Sequence, residues 1–347
     1  CTAVVAFKDN EHRPAVEAIY RELLRAKRHG FTVTEYERYK ERYKARIEAA
    51  YERRDKVTNG DYVDEYVHHF LDNVAAPGIE WEHTNLLQFC DMIPLEAINQ
   101  TVMQKEDCAP VIAAFMPDKE TITYPTKEEL LDIMAAVEAE DIEAFKEEVS
   151  NEPLLDVSAL KGSKVKKEEP ALYDFTKLTL KNGIEIFVRK TDYSPNQISM
   201  VAQSWGGTSL YDEKDYLDAD NADGISLGGW GNFSALDLRK KLAGKQANVS
   251  PNIGTRTESM SGSCVKKDLE TMLQLTYLAF TSPRKDQEVF NSTMQRQKAS
   301  LESAEVQPTT ALQDTVISTV YHNHYRAVRT KAADIDRINR SEERRVG

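Results

Sequence analysis

The sequence lacks the features of several large protein classes. No run of apolar residues approaches the roughly 18 that a membrane-spanning helix needs, so the sequence predicts no membrane span. Acidic residues (57) outnumber basic residues (45), and the net charge of −12 argues against general binding to nucleic acid or anionic lipid. Hydrophobic residues make up 41% and charged residues 29% of the 347 positions, which is typical of a folded globular protein.

Cysteine is scarce, and its spacing carries no known chemistry. Cys1, Cys90, Cys108 and Cys264 include no C-x-x-C pair, so neither a structural zinc site nor a thioredoxin-like couple is predicted. The sequence around these cysteines offers no histidine that would support a cysteine-peptidase active site. Buried free thiols are the favoured interpretation, while a disulfide stays open because the sequence favours no pairing.

The histidines form no zinc-peptidase motif. The zinc-binding motif H-x-x-E-H places two imidazoles one helical turn apart with a carboxylate between them. His322 and His324 are two residues apart and would point to different sides of a helix. His68 and His69, with Asp72 nearby, predict an ordinary hydrogen bond on a helix surface. We therefore expect no catalytic, cofactor-binding or metal-binding residue in this chain. The complete set of histidines is His12, His29, His68, His69, His83, His322 and His324.

Two polar stretches resemble ligand-binding loops in composition, but neither has the residue spacing of such a loop. The glycines of Gly224–Gly231 lack the G-x-x-x-x-G-K-[ST] pattern of a phosphate loop, so a turn is predicted there. A group of aspartates lacks the spacing and the final glutamate of a calcium-binding EF-hand, and a solvated loop is predicted. These aspartates are Asp212, Asp215, Asp218, Asp220 and Asp223.

Residues 1–154 are predicted to be mainly helical. Apolar residues recur at helical spacing from Ala15 to Leu24, and Gly30 is a suitable C-terminal stop. Thr34 with Glu37, and Thr126 with Glu129, match the capping box that begins a helix. Two apolar segments predict strands instead, Thr2–Phe7 and Ala109–Met116.

Residues 155–173 are polar and rich in lysine and glutamate, and this composition predicts a linker between two domains. The ends of the chain favour a fragment of a longer protein. The sequence starts at Cys1 rather than at Met, and residues 340–347 resemble the translation of a sequencing adapter rather than native sequence.

Residues 174–339 carry the strongest strand signals. Asn182-Gly183 separates two alternating runs and predicts a two-residue hairpin with a type I′ turn. A helix is predicted to begin near Ser234. Further strands are predicted at Gln197–Trp205, Ala247–Ile253 and Thr257–Val265.

Several of these segments resemble the pitrilysin/insulinase family of zinc metallopeptidases, especially its bacterial pitrilysin-like branch. They are Leu180–Val188, Ser204–Ser209, Gly231–Leu238, Lys241–Lys245, Leu269–Leu275 and Phe280–Asp286. Gly30-Phe31-Thr32 and Asn99 resemble the second domain of the family's N-terminal half. The resemblance covers residues 1–339.

The resemblance implies an α+β fold with two related layered α/β units, each incomplete and each an antiparallel-rich sheet packed with helices. Residues 1–154 would be the later part of the N-terminal half. Residues 174–339 would start the C-terminal half, with its third, catalytically silent domain. The zinc helix of that repeat would follow Thr208-Ser209, but Asn221–Gly231 contains no histidine. The zinc ligands would therefore lie upstream of Cys1.

The function implied is that of a zinc metalloendopeptidase that cleaves peptides or unfolded polypeptides in a closing chamber. This chain would be an inactive portion that supplies chamber wall and substrate-binding surface, and its partners would be the substrate and the missing catalytic domain. Peptide would join a sheet edge as an added strand, with the strand pair around Val249–Cys264 as the predicted platform. The bacterial branch implies a periplasmic or exported location.

Two alternatives stay open. The whole protein could lack the zinc site and serve as a presenting or structural subunit of a heteromer. It could also be an unrelated two-domain α+β binding protein.

Overall fold

A computed structural model describes residues 3–5, 7, 10–104, 111–116, 120–146, 152–194, 196–222 and 227–338. Helices and antiparallel sheets make up the described chain, which confirms the predicted α+β class. The chain divides into two compact units. The first comprises Cys1–Tyr51 and Thr58–Glu148, and the second comprises Glu52–Val57 and Val149–Gly347. The predicted adapter-derived end, residues 340–347, lies outside the described residues.

The described part of the first unit is helical. Helix α1 packs against α6, where Ile133 and Val137 are fully buried. Arg21 of α1 also forms a bidentate ion pair with Glu140, with N–O distances of 2.6 and 2.7 Å. The helices are α1 (His12–His29), α2 (Val33–Glu52), α3 (Asn59–Asp72), α4 (Ile79–Met92), α5 (Leu95–Met103) and α6 (Lys127–Glu138).

The helix boundaries follow local capping chemistry, with one correction. Gly30 ends α1 with a φ of 69°, as predicted. The predicted Thr126 cap of α6 is also confirmed, because its hydroxyl accepts the Glu129 N–H at 3.1 Å. The capping box predicted at Thr34 and Glu37 is wrong. The reciprocal bonds before α2 join Thr32 to Glu35, two residues earlier.

The two strands predicted in the first unit are not found. Residues 3–5, 7 and 111–116 have no regular secondary structure, and the remaining positions of both segments lie outside the described residues. Val111 and Phe115 are 95% and 93% exposed. A strand forms only when another strand pairs with its backbone, and the described part of this unit contains no strand. Apolar composition alone was therefore insufficient to predict a strand in these two segments.

The second unit holds two three-stranded antiparallel sheets. Sheet A has the order β1-β2-β3 and sheet B the order β4-β6-β5. The strands are β1 (Val165–Pro170), β2 (Thr176–Leu180), β3 (Glu185–Val188), β4 (Gln197–Trp205), β5 (Ala247–Ile253) and β6 (Thr257–Val265). The helices are α7 (Tyr216–Asp220), α8 (Ala235–Lys241), α9 (Leu269–Thr281), α10 (Gln287–Glu305) and α11 (Pro308–Val320).

The predicted hairpin of β2 and β3 is present, but its turn is longer than predicted. The Leu180 N–H donates to Ile184 O at 2.8 Å, so Lys181, Asn182 and Gly183 form a three-residue loop. A type I′ turn needs positive φ at both Asn182 and Gly183, and only Gly183 has it (91°). The single left-handed glycine matches the three-residue class of hairpin loops.

The polar segment 155–173 is structured. Composition predicts a linker there, yet β1 lies within it and pairs with β2 from Val165 to Pro170. The Lys-Lys-Glu-Glu run of β1 has no apolar alternation and gave no strand signal, because both faces of β1 are largely exposed. Just before this segment, Leu154 packs against the buried cluster of the second unit.

The core of the second unit lies between α9 and one face of sheet B. Met260 and Cys264 of β6 are buried on that face, and Gly262 lies close to Met272 of α9. Ser234 begins α8 as predicted, in a capping box with Asp237. The main buried cluster consists of Trp230, Phe233, Leu238, Leu275 and Leu278. The opposite face of sheet B has no buried side chain.

Candidate functional site

The loop after Thr208 contains a short helix, and the described residues around it form no group of potential metal ligands. After Thr208 the chain forms a loop and then α7, which has five residues. Arg326 holds this loop. Its Nη1 donates to Ser209 O at 3.2 Å, its Nη2 donates to Tyr211 O, and its Nε donates to the Tyr325 hydroxyl at 2.8 Å. These hydrogen bonds hold the loop in place.

Each histidine in the first unit is placed in an ordinary structural contact. His68 Nδ1 lies 2.9 Å from Asp72 Oδ2, the predicted surface hydrogen bond. His69 Nδ1 lies 2.7 Å from the carbonyl oxygen of Val74. His29 Nε2 lies 2.6 Å from the carbonyl oxygen of Ile142. Each contact uses one of the two ring nitrogens in an ordinary hydrogen bond.

The remaining histidines are also separated from one another. His12 is buried, with Nε2 3.3 Å from Glu129 Oε1. The His83 ring stacks on Tyr51 at a centroid distance of 4.0 Å. His322 and His324 follow α11 in a turn, and His324 accepts the Arg326 N–H. Among the described residues, no three His, Cys, Asp or Glu side chains are grouped so that they could hold a metal ion.

The two described cysteines lie in surroundings that disfavour the thiolate. Cys90 and Cys264 are free. Burial raises the pKa of both thiols, and the charge of Asp268 raises that of Cys264 further. A thiol with a raised pKa carries little thiolate, which is the nucleophile and the metal ligand. Cys1 and Cys108 lie outside the described residues.

The glycine-rich and acidic stretches are structural where they are described. Gly229, with a φ of 92°, is packed against the backbone of Phe233 and Ser234, so its turn leaves no cradle for an anion. Asp212 accepts the N–H of Lys214. Residues 223–226 lie outside the described part of the chain, and the full predicted group of aspartates is therefore not seen.

The open face of sheet B is an extended surface without charged side chains. The side chains on its open face come from alternate positions of all three strands, and none is charged. Hydroxyl and amide groups dominate. The face consists of Gln197, Ser199, Val201, Gln203 and Trp205 of β4, Thr257, Ser259, Ser261, Ser263 and Val265 of β6, and Asn248, Ser250 and Asn252 of β5.

The structure changes the role of the predicted platform around Val249–Cys264. Strand β6 is the central strand of sheet B, so only β5 offers an edge there. Val265 N–H donates to Gln246 O, and Gly254 N–H donates to Thr257 O. Even-numbered residues of β5 therefore bond to β6, and odd-numbered residues direct their backbone N–H and C=O groups away from it. Pro251 occupies an outward position, which breaks the row of donors on that edge.

The loop beside sheet B is held by tight backbone packing. Gly206 N–H donates to Arg256 O at 3.0 Å, and Thr208 N–H donates to Gly254 O at 3.0 Å. Glu258 Oε1 accepts the Gly207 N–H at 3.1 Å. Burial raises the pKa of the Tyr211 hydroxyl, and the nearby charge of Glu258 adds to the rise.

No protein-family model matches this chain. The chain is 26% identical over 303 residues to a zinc protease PQQL-like protein of Arabidopsis thaliana, a match that covers 87% of this chain and 29% of that protein. Two solved structures share its fold, each at 16% identity. The periplasmic protease PqqL of Escherichia coli matches with a TM-score of 0.52 over 96% of this chain and 37% of its own.

The second is the ferredoxin protease FusC in complex with Arabidopsis ferredoxin, with a TM-score of 0.53 over 97% of this chain and 38% of its own. This chain therefore spans about a third of the length of the proteins that it resembles. None of the described helices combines the length and the apolar character that a membrane crossing requires.

Proposed function

The chain has a pitrilysin/insulinase-like zinc-protease fold over the part that it spans, and from this we propose that it is a non-catalytic portion of a zinc metalloendopeptidase. In this proposal it supplies chamber wall and substrate-binding surface. Residues 1–154 correspond to the later part of the N-terminal half, and residues 174–339 to the start of a silent C-terminal half. The substrates are peptides or unfolded polypeptides.

The observation that carries the proposal is the contrast between the loop after Thr208 and sheet B. The described part of the loop after Thr208 contains a short helix and no group of potential metal ligands, whereas sheet B keeps an uncharged open face and backbone edges. A sheet edge binds an extended chain through main-chain hydrogen bonds, which accept many sequences. The residues present thus suit substrate contact, and they do not suit hydrolysis.

The residues of this chain do not fit a zinc ion. The described part contains no group of potential ligands, and the sequence contains no H-x-x-E-H motif. We propose that zinc in the whole protein is held by residues outside this chain. The missing catalytic domain would then be the main partner of the present one.

Two relatives support the substrate class and the location. FusC is a ferredoxin protease that was solved with ferredoxin bound, which supports a polypeptide as the substrate here. PqqL is a periplasmic protease, which supports an exported location. Fractionation of cells that express the whole protein from its own gene tests the location directly.

The test of the function uses the purified 347-residue chain. We expect less than about 0.1 zinc ion per chain by mass spectrometry after dialysis against micromolar zinc, and no cleavage of a quenched fluorogenic peptide. A fluorescein-labelled unfolded polypeptide should still raise its anisotropy on binding, with circular dichroism as the folding control. One tightly held zinc ion together with chelator-sensitive cleavage would refute the proposal, as would a folded chain that binds no extended polypeptide.

A further inference from the structure

Asparagine is followed by glycine at two places in the sequence, Asn59-Gly60 and Asn182-Gly183. In such a pair the backbone nitrogen of the glycine can attack the side-chain amide of the asparagine, because glycine has no Cβ to obstruct the approach. The structure places the two pairs differently. Asn182 lies in the loop between β2 and β3, whereas Asn59 is the first residue of α3.

The loop at Asn182 leaves room for this reaction. Asn182 and Gly183 are both exposed, and apart from the neighbouring residues no heavy atom lies within 4 Å of the position that a Cβ of Gly183 would occupy. Ring closure requires the Asn182 backbone to rotate, and two hydrogen bonds resist this rotation. The Gly183 N–H donates to Leu180 O at 3.0 Å, and the Ile184 N–H donates to Asn182 Oδ1 at 3.3 Å. Both belong to one exposed loop, where local opening costs much less than global unfolding.

The charges near this loop favour the reaction. It begins when the glycine N–H loses its proton, and nearby positive charge favours that loss. Lys181 precedes Asn182, and its N–H donates to Lys164 O at 2.9 Å, so two lysines lie at this end of the hairpin. Glu185, the first acidic residue after the loop, forms an ion pair with Lys177 at 2.6 Å. The loop itself therefore carries positive charge.

The first turn of α3 opposes the same reaction at Asn59. Asp61 Oδ2 accepts the Thr58 N–H at 3.0 Å, and Thr58 Oγ1 accepts the Asp61 N–H at 3.4 Å. This capping box holds the backbone on both sides of Asn59, and rotation there would break its bonds. The negative charge of Asp61 also disfavours loss of the Gly60 proton.

We propose that Asn182 is a modification site, at which the folded chain converts its own Asn-Gly pair into an aspartyl or isoaspartyl linkage. The Gly183 nitrogen loses its proton and forms a bond to Asn182 Cγ. The Cγ–Nδ2 bond then breaks, and Nδ2 takes up a proton and leaves as ammonia. One water molecule opens the resulting succinimide ring at either carbonyl carbon, which leaves a carboxylate in place of the amide.

The modification changes the hairpin of β2 and β3. The isoaspartyl form adds one carbon atom to the main chain of the three-residue loop, and both products add a negative charge. Loop length fixes the register of a hairpin. We therefore expect the isoaspartyl form to weaken the bond from Leu180 N–H to Ile184 O and the pairing of Thr179 with Glu185 beside it. This hairpin is the part of the second unit that should change as the protein ages.

The test follows both Asn-Gly pairs in the purified 347-residue chain, kept folded at neutral pH. Peptide mapping by mass spectrometry detects the acid formed from the amide, and labelling by protein isoaspartyl methyltransferase identifies the isoaspartyl form. A synthetic unfolded peptide with the sequence of residues 178–187 provides the reference rate. Asn182 should react at least about threefold faster than Asn59, and within about tenfold of the rate in the peptide.

Two glycine variants show whether ring closure is the route. Gly183→Ala places a Cβ beside the attacking nitrogen and should slow the conversion of Asn182 about tenfold. Gly60→Ala is the matched control at the other pair, and it should leave the rate at Asn182 unchanged. Circular dichroism establishes that each variant is folded.

Several results would overturn the proposal. Asn182 could stay intact after the peptide has reacted completely, or it could react only in chain unfolded by urea, and either result would mean that the folded loop prevents the reaction. Faster conversion at Asn59 than at Asn182 would contradict the argument from charge and loop opening. An unchanged rate in Gly183→Ala would rule out ring closure. None of these results bears on the proposed function, because the reaction needs neither a substrate nor a partner chain.

Discussion

The two units differ in where their strands find partners. In the second unit, β5 and β6 are separated by three residues, and β2 and β3 form a hairpin, so these strands meet a neighbour close in sequence, whereas β4 pairs with the more distant β6. In the first unit, the apolar segments 3–5 and 111–116 lie more than a hundred residues apart and form no strand. An apolar run predicts a strand reliably only where the sequence also supplies the strand beside it.

The units also differ in how their turns are held. In the second unit, glycines allow backbone segments to approach each other closely, as at Gly207 beside Gly254. In the first unit, a side chain holds the turn. Asn99 Oδ1 accepts the Phe31 N–H at 2.8 Å, and Asn99 Nδ2 donates to Phe31 O at 3.1 Å. A backbone packed this closely leaves no room for an added side-chain atom. Removal of a side chain that holds a turn costs only its hydrogen bonds and creates no clash.

The largest effect is therefore expected for Gly207→Ala. Gly207 has a φ of 73°, and an added Cβ would overlap Gly254 O and lie within 3.0 Å of Thr255. Left-handed strain and a clash with rigid backbone together should lower the free energy of unfolding by about 3–5 kcal/mol. Urea denaturation followed by tryptophan fluorescence measures this loss.

Gly183→Ala is the matched control for this substitution. Gly183 also has a positive φ, 91°, but nothing lies within 4 Å of an added Cβ. Only the conformational strain applies, so the loss should be about 1–2 kcal/mol. Equal losses at the two positions would show that close packing at Gly207 contributes nothing.

A smaller effect is expected for Asn99→Ala in the first unit. The substitution removes both bonds to Phe31 and leaves that turn to water, with a loss of about 1–2 kcal/mol. Asn85→Ala is the control, because the Asn85 amide bonds only to Trp81 O within its own helix. Thermal unfolding by circular dichroism compares the two. A loss in Asn99→Ala no larger than in the control would contradict the role of Asn99.

Much of the second unit could be predicted from its residues, because its signals are local. The runs of β5 and β6 and the cap at Ser234 depend on neighbours within a few positions, as does the cap at Thr126 in the first unit. The loop predicted after Leu180 was one residue too short. Asn-Gly fits two classes of hairpin loop, and the twist of the flanking strands decides between them. Similarly, Thr32 and Thr34 are both of a residue type that caps helices, and only the path of the folded backbone decides that Thr32 is the cap.

The site was less predictable, because its contacts span long separations in sequence. Arg326 bonds to Ser209 and Tyr211, and no local pattern marks an arginine that binds backbone oxygens over a hundred residues away. The edge of β4 could not be found from alternation, which shows faces and not edges. One signal was available for β5. Pro251 lies within a predicted strand, and proline there indicates an edge with an interrupted row of donors.

The smallest effect concerns the ion pair between α1 and the end of α6. The hydrogen bond from Arg21 holds the pKa of Glu140 below its ordinary value of 4.5. A carboxyl with a lowered folded-state pKa stabilises the fold above its ordinary pKa, and this contribution is lost as pH falls through the lowered value. Both groups are well solvated, so Glu140→Gln should lower Tm by about 1–2 °C at most at pH 7.

That difference should shrink as the pH falls from about 5 towards 3, because protonation makes the native carboxyl resemble the amide. It should also shrink in 1 M salt, which screens exposed pairs. Glu128→Gln, in the first turn of the same helix, controls for the general loss of a negative charge. A difference that persists unchanged at pH 3 would mean that Glu140 contributes through packing with α1 rather than through its charge. The first unit would then depend on close packing in the same way as the turn at Gly207.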